Sequence, residues 1–547
     1  MELMEWLEKQ DKPRRWFWNG KYTNCITVGL ICLITLLWGV IYCVASKTVY
    51  FWDDATYWEI SRMLSVKPLN FEFVKELYTS IITADYNYLP ALPVSLWMRI
   101  FGGTRLSFIV AITIMYLIPA QVMIYNLAKK LSKAPLLAFV ISIISVPALS
   151  YLTYIGFIDV GGVLIATACY YFYYTDGFKK RPWIKYVFIG ILLAVIMLYR
   201  RYFAFFAVSF VTSMIIDSIL FKRSRRGMFI SVMTTVCVLS VFFFPFIINI
   251  LLKDYGNLYS GYKYDVMTDL KIITRYFGVS FLLMIFALVP YTIKRKKDMR
   301  CIFPLLQIVI CAVMFITTQT HGQQHLFLYI PGLITILMLG LNSINDYKVL
   351  SIVCVISAIT FVSPLIPRTQ PQNIQEIKGL AIVPTYSVEA EKRSDINQII
   401  ALKNNLDKTI PEGKTCGILA SSFTVNASIL INIEPSLNRS SVRNDSYITG
   451  LPEVDSRDWW RLEEIYACDY ILVAVPAQTH LGEGEQKIIE EAVRSFRDGT
   501  DIAGFYTKVN GFTGRVGEVE LALYERTGEV SETAKMQYKK RLNLKEG

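Results

Sequence analysis

Two adjacent carboxylates, Asp53 and Asp54, follow the first long apolar run, in Tyr50-Phe-Trp-Asp-Asp-Ala-Thr-Tyr-Trp-Glu-Ile-Ser-Arg-Met-Leu64. A carboxylate partly desolvated among aromatics can act as general base toward a hydroxyl. The plainer reading is that one Asp caps a helix. Capping accounts for one of the pair, but not for the second or for Asp85 in Ala84-Asp-Tyr-Asn-Tyr-Leu-Pro90. The pair could also hold a divalent ion through its oxygens, with no third ligand assured. Arg200 and Arg201, flanked by Tyr199 and Tyr202, end an apolar stretch. They read either as a phosphate grip, which gains strength as charge grows on a leaving group, or as interface arginines reaching water. His321 and His325, four residues apart, suit one helix face. Hydrogen bonding to phosphate or sugar, a metal pair lacking a neighbouring Cys or Glu, and ordinary interface histidines all fit. The stretch 252–277 holds Lys253, Tyr262, Lys263, Tyr264, Lys271 and Arg275, a phosphate grip with stacking rings or an interfacial belt. Asp159 in Gly156-Phe-Ile-Asp-Val-Gly-Gly162 either caps the next helix or lines the site.

Positioning these groups falls to a membrane scaffold. Of 547 residues, 54% are hydrophobic and 18% charged, against about 25% charged in soluble domains. A disordered, collagen-like or disulfide-dense chain is excluded. The net charge of +12 would suit nucleic acid, but the basic residues lie in short loops between apolar runs, so no nucleic-acid partner is expected. Eleven stretches approach the roughly 20 residues that cross a bilayer: 24–46, 106–128, 134–152, 157–175, 184–199, 203–221, 228–251, 278–293, 301–318, 326–344 and 349–365. One set of loops carries 17 Lys and Arg in 31 positions, the opposite set 12 in 105. That bias puts the first set in the cytoplasm. The first 21 residues mix acids and bases, and no small-residue cleavage site follows. The N-terminus is therefore expected inside, with the loop 47–105 and everything after 366 outside.

Composition changes after Phe361-Val-Ser-Pro-Leu-Ile-Pro367. Residues 1–366 read as a mostly α, polytopic helical bundle, and 367–547 as an extracytoplasmic α/β domain. There a polar helix over 389–408, strands over 415–420 and 470–475, a helix over 483–497 and strands near 502–508 and 515–525 are expected. No glycine fingerprint follows either of the first two strands, which argues against dinucleotide binding and for docking or acceptor guidance. Eight of the ten cysteines lie in or beside apolar spans and read as packing residues. Cys416 and Cys468 fall in the second domain, where an oxidising compartment permits a disulfide without requiring one.

Asp53-Asp-Ala-Thr-Tyr-Trp-Glu-Ile-Ser-Arg-Met-Leu64 resembles the Asp-Glu-x-x-Tyr-x-x-Ile-x-Arg pattern opening the first periplasmic loop of GT-C glycosyltransferases. Relatives of that pattern include protein O-mannosyltransferases and lipid A aminoarabinose transferases. Asp85-Tyr-Asn-Tyr-Leu-Pro-Ala-Leu-Pro-Val-Ser-Leu-Trp-Met-Arg-Ile-Phe-Gly102 is similar to the family's Pro-rich turn, apolar helix and closing Phe-Gly. Leu198-Tyr-Arg-Arg-Tyr202 and His321-Gly-Gln-Gln-His325 with Leu-Phe-Leu-Tyr-Ile-Pro-Gly332 resemble its later basic motifs. The likeness covers roughly 25–365. It implies that Asp53 deprotonates an acceptor hydroxyl for in-line, inverting attack on a sugar carried by a polyprenyl phosphate. Many relatives have Lys just before the Pro-rich turn, where this chain has Tyr88 and Leu89.

The candidate substrate-binding set is Asp54, Tyr57, Arg62, Asp85, Arg200, Arg201, Lys263, His321 and His325. The expected partners are the lipid-linked sugar donor, a hydroxyl-bearing lipid, envelope glycan or protein, and membrane lipid. No cofactor is implied beyond the optional divalent cation at Asp53 and Asp54. The competing reading is a flippase or transporter for lipid-linked glycans, which should place charges deep within spans and show repeated halves with broken helices. A structural envelope protein stands third, since it needs no acidic pair with Arg and His clusters on one side.

Overall fold

The computed structural model describes residues 20–175, 178, 181–221, 225–366, 376–377, 379–439 and 447–543. Residues 1–19, Lys179, Lys180, Lys222, Arg223 and 367–375, where the second domain is expected to begin, lie outside the described residues. The chain divides into two compact units. A helical unit comprises 1–44, 57–253 and 264–390, and a sheet unit comprises 45–56, 254–263 and 391–547.

In the helical unit, each of the eleven expected apolar stretches is helical. Two are interrupted at proline, which lacks an N–H and clashes with the preceding turn. The stretch 134–152 becomes Pro135–Ser145 and Ala148–Tyr154, broken before Pro147. The stretch 228–251 becomes Arg225–Phe242 and Phe244–Leu252, with Pro245 opening the second piece. Among the described residues, six helices are long and apolar enough to cross a membrane, or seven counting the pair Val266–Phe277 and Val279–Lys296, bent by 88°. Pro135–Ser145, Val160–Tyr174, Trp183–Tyr199 and Ile330–Ser343 are apolar but shorter. Two glycines permit the closest approach near the charged groups. A Cβ on Gly161 would lie 2.2 Å from the Tyr199 hydroxyl, and one on Gly162 2.0 Å from the Phe203 ring. Small residues at such crossings let helices pack where lipid offers no hydrophobic drive. A short antiparallel ribbon, β1 (Glu376–Ile377) with β2 (Leu380–Ala381), also belongs here. Residues 380–388 bond to the helical unit through Ala381 N–H to Thr274 Oγ1 (3.3 Å) and Thr385 N–H to the Arg275 carbonyl (2.8 Å). That pairing carries the helical unit past the expected boundary at 366.

The sheet unit is α/β. Its described strands are β3 (Cys416–Leu419), β4 (Ile448–Gly450), β5 (Tyr470–Val475), β6 (Tyr506–Lys508), β7 (Gly514–Val516) and β8 (Val519–Arg526). They run in the order β4-β3-β5-β8-β6, with β7 also on β8. β3 is parallel to β4 and β5, whereas β8 is antiparallel to its neighbours. β5 is a continuous Tyr-Ile-Leu-Val-Ala-Val run buried almost throughout, the signature of a central strand covered on both faces. One face packs Ile396–Thr409 and Ala427–Ser436 around Leu472 and Leu523, the other packs Lys487–Asp498 and Glu532–Leu542 around Ile471 and Val473. The expected strand over 515–525 is two strands, separated by Gly517 at φ 59°.

The segment 45–56 is tied into this unit. Lys47 N–H bonds the Glu391 carbonyl (2.7 Å), and Arg393 N–H bonds the Lys47 carbonyl (2.8 Å). Tyr50 and Trp52 donate their backbone N–H groups to Ser436 Oγ (3.1 Å) and Ser428 Oγ (3.2 Å). Val49 is buried in the same core as β3 and β5.

Cys416 and Cys468 are free thiols on opposite faces of the sheet. Cys468 Sγ lies over Gly417, the neighbour of Cys416, and successive strand residues point to opposite sides. The permitted disulfide is therefore geometrically closed. Alkylation of the unfolded, unreduced protein should label both cysteines. Mass spectrometry finding a linked peptide pair would contradict this sheet.

Candidate functional site

In the helical unit, the turn after Trp183–Tyr199 carries Arg200 in extended conformation, followed by the single 3-10 turn Arg201–Phe203. Arg200 is 6% exposed, so it does not reach water as an interface arginine would. Its guanidinium sits over three tyrosine rings, Tyr57 at 5.0 Å, Tyr86 at 4.9 Å and Tyr202 at 5.5 Å. Its Nε lies 3.4 Å from Asp159 Oδ1. Tyr202 donates to the same oxygen at 2.7 Å. Asp159 holds the capping position of Val160–Tyr174 but makes no side-chain cap bond. Its carboxylate serves the arginine instead. The backbone around this cage is fixed by Asn87 Nδ2 to the Leu198 carbonyl (2.8 Å) and Tyr199 hydroxyl to the Ile158 carbonyl (2.6 Å).

Arg201 points elsewhere. It pairs with Asp85 and donates to the Thr83 carbonyl at 2.9 Å. Lys253 reaches the same carboxylate from 168 residues away, at 2.7 and 2.8 Å. Two cations on one carboxylate leave a net positive charge on this triad. Asp85 and Lys253 are partly exposed while the Arg201 side chain is largely covered. Lys253 thus brings a second cation to the segment around Asp85.

The two histidines part company. Residues 323–328 form a 3-10 helix, and His321 precedes it, so the shared α-helical face does not exist. Buried His321 receives the Asp269 carboxylate at Nδ1 (2.8 and 2.9 Å) and meets the Tyr329 hydroxyl at Nε2 (2.5 Å). Because the carboxylate accepts, Nδ1 carries the proton and Nε2 accepts from tyrosine. Both ring nitrogens are thereby used within the fold. His325 accepts the Gly322 N–H at Nδ1 (2.8 Å) and lies 4.8 Å from the Tyr202 ring, which joins it to the Arg200 cage. Buried Tyr57 is part of that cage. Arg62 lies over Trp58 at 5.3 Å, one turn back on its own helix.

In the sheet unit, Trp52 precedes the helix Asp53–Val66, and both Asp53 and Asp54 occupy its first turn. The Trp52 carbonyl, not an Asp, sits at the capping position and accepts Thr56 N–H at 2.9 Å. Acids in a first turn are favoured by the helix dipole. Asp53 lies close enough to Tyr262 to help raise that phenol, which burial first and then Glu453, Asp458 and Asp53 push up to about 12 against Arg457. Arg457 donates to the Tyr262 hydroxyl at 3.1 Å and forks onto Asp458 at 2.9 and 2.8 Å. Lys263 is exposed. Among the described residues no group of three or more His, Cys, Asp or Glu is arranged to hold a metal, the Asp53–Asp54 pair included. Trp52, Arg457 and the third histidine, His480, were not singled out from sequence. The signal for His480 was only its place just after the strand 470–475.

No family model matches the sequence, and no curated protein matches it. Solved structures do. ArnT from Cupriavidus metallidurans bound to undecaprenyl phosphate superposes with a TM-score of 0.58 at 9% identity, over 91% of this chain and 97% of that one. The apo state of the same protein gives 0.57 at 10% identity with the same coverage. The chain thus shares the fold of that protein and is a multi-pass membrane protein.

Two outcomes follow from these electrostatics. Asp159→Asn strips the counter-charge from buried Arg200 and should destabilise the protein by about 3–5 kcal/mol, read as a lowered unfolding midpoint in detergent. Glu453 is half-buried, and burial pushes its carboxyl up to about 7 against the opposing Ser421 hydroxyl and Arg457. It binds its proton more tightly folded than unfolded, so its contribution to stability falls as pH rises from the ordinary carboxyl range to about 7. Glu453→Gln should remove that fall, and an unchanged pH profile of unfolding would refute the assignment.

Proposed function

We propose that this chain is an inverting glycosyltransferase that moves a sugar from a polyprenyl-phosphate donor to a hydroxyl acceptor on the extracytoplasmic side. The observation that carries the reading is the arrangement of fixed cations in the helical unit. Arg200 is buried and compensated, while Arg201 and Lys253 share the single carboxylate of Asp85 and retain a positive charge. Such a group suits the phosphate of a lipid carrier at the end of apolar helices. The likeness in fold to a protein solved with undecaprenyl phosphate supports the same donor class.

In this mechanism Asp53 takes the proton of the acceptor hydroxyl. The oxygen attacks the anomeric carbon on the face opposite the phosphate, and the carbon–oxygen bond to phosphate breaks with its electron pair leaving on the lipid phosphate. One displacement inverts the anomeric centre. Negative charge grows on the phosphate as that bond lengthens, so Arg201 and Lys253 stabilise the transition state more than the ground state. Arg200, compensated in place by Asp159, fixes the backbone that leads directly into Arg201. Helices that exclude water protect the activated donor from hydrolysis.

Asp53→Asn should lower sugar transfer by about 100-fold to 10,000-fold, the range for a lost general base, while donor binding persists. Lys253→Ala should instead raise KM for the donor, since ground-state grip on phosphate is lost too. Both are read by mass spectrometry of the released lipid phosphate and the glycosylated product. A fully active Asp53→Asn variant would overturn the assignment.

A further inference from the structure

The sheet unit carries a group of side chains beside Asp53 that the reaction above leaves without a task. Trp52, immediately before Asp53, is half-buried and has φ 50°. A bulky residue in this left-handed region is strained, and such strain persists where the surroundings impose it, often at functional sites. The indole meets Phe51 edge-on at 5.2 Å, Phe423 edge-on at 5.1 Å and the His480 ring at 4.3 Å with a 41° tilt. Phe423 is 63% exposed, so this aromatic shelf opens to solvent.

Polar groups line one side of the shelf. His480 Nδ1 lies 3.0 Å from Ser421 Oγ and 3.1 Å from the Ser421 carbonyl. A carbonyl only accepts, so Nδ1 carries the proton and Nε2 is a lone-pair acceptor, one that bonds to no described residue. Burial lowers the imidazole's proton affinity, which keeps it neutral. The Ser421 hydroxyl also lies against Glu453, a carboxyl whose raised pKa leaves it able to donate near neutrality. Arg457 is spent on Asp458 and Tyr262. The fork between Arg457 and Asp458 cancels charge, and Arg461 is likewise paired with Glu464. This surface combines an aromatic face, a neutral acceptor, a hydroxyl and a protonatable carboxyl with little net charge. Arg393, which donates to the Phe423 carbonyl, is paired with Asp395. Among the described residues the cations at this surface are thus each matched by a carboxylate, which disfavours a phosphorylated or strongly anionic group, whereas a sugar ring presents C–H faces to an indole and hydroxyls to paired donors and acceptors.

We infer that Trp52, Phe423, His480, Ser421 and Glu453 form a saccharide-binding subsite, so that the hydroxyl delivered to Asp53 belongs to a neutral glycan. This identification of the acceptor rests on the function proposed above, while the subsite itself does not. Saturation-transfer NMR on the full-length protein in detergent, with methyl α-mannoside and methyl β-glucoside as probes and free serine as the non-sugar hydroxyl, tests it without turnover. At least one glycoside should take up saturation through its ring protons and serine should not. Trp52→Ala and His480→Ala should each weaken glycoside binding by about tenfold. Phe423→Ala, at an exposed position, should weaken it without disturbing the fold, and all three variants should still bind undecaprenyl phosphate. Absence of saturation in both glycosides, equal saturation of serine, or unchanged glycoside binding in Phe423→Ala and His480→Ala would overturn the subsite. Should Asp53→Asn prove active while glycoside binding depends on the shelf, the transferase reading fails and the subsite stands.

Discussion

A guanidinium taken out of water must find a counter-charge and polarisable surfaces, or the fold around it does not close. Arg200 meets that demand with Asp159 and three tyrosine rings. The cost of desolvating each ion is several kcal/mol, so every element touching the cage is constrained. Gly161 and Gly162 are bare because Tyr199 and Phe203 pass where a Cβ would stand. Asn87 and Tyr199 spend their polar ends holding backbone carbonyls. These contacts fix the backbone that leads into Arg201, and a cation positioned in advance needs no reorganisation when charge appears on a bound group.

Neighbouring residues in the chain are used for opposite ends. Arg200 is neutralised in place, whereas Arg201, one residue on, shares its carboxylate with Lys253. The break from helix to extended backbone at Arg200 makes that divergence possible. The histidines show the same division. His321 is consumed by Asp269 and Tyr329, and His325 stays with the aromatic cage.

The sheet unit does more than append a domain. Its core includes Val49, and its helix Ala427–Ser436 receives the backbone N–H groups of Tyr50 and Trp52. The residues leading to Asp53 therefore owe their conformation to a sheet whose described strands begin only at Cys416. A strained Trp52 is tolerable only because that unit holds both its backbone and its ring.

Much of the fold was legible in residue order. Eleven apolar runs were helices, and the run 470–475 was a buried strand, because continuous hydrophobicity and β-branching act locally. Length was harder to read, since Pro147 and Pro245 cut helices that a hydropathy window runs through. The second unit's boundary shifted because residues 380–388 spend their backbone bonds on the helical unit. Within the candidate site, sequence alone marked Asp53, Asp85, Arg200 and Arg201 as charges that apolar surroundings make expensive, together with their apolar frame. Which charge cancels which was decided by tertiary structure alone. Asp159 with Arg200, Lys253 with Asp85, and Trp52 with His480 are pairings between residues tens to hundreds of positions apart. Coulomb and stacking energies depend on distance in space, and no spacing along the chain encodes that.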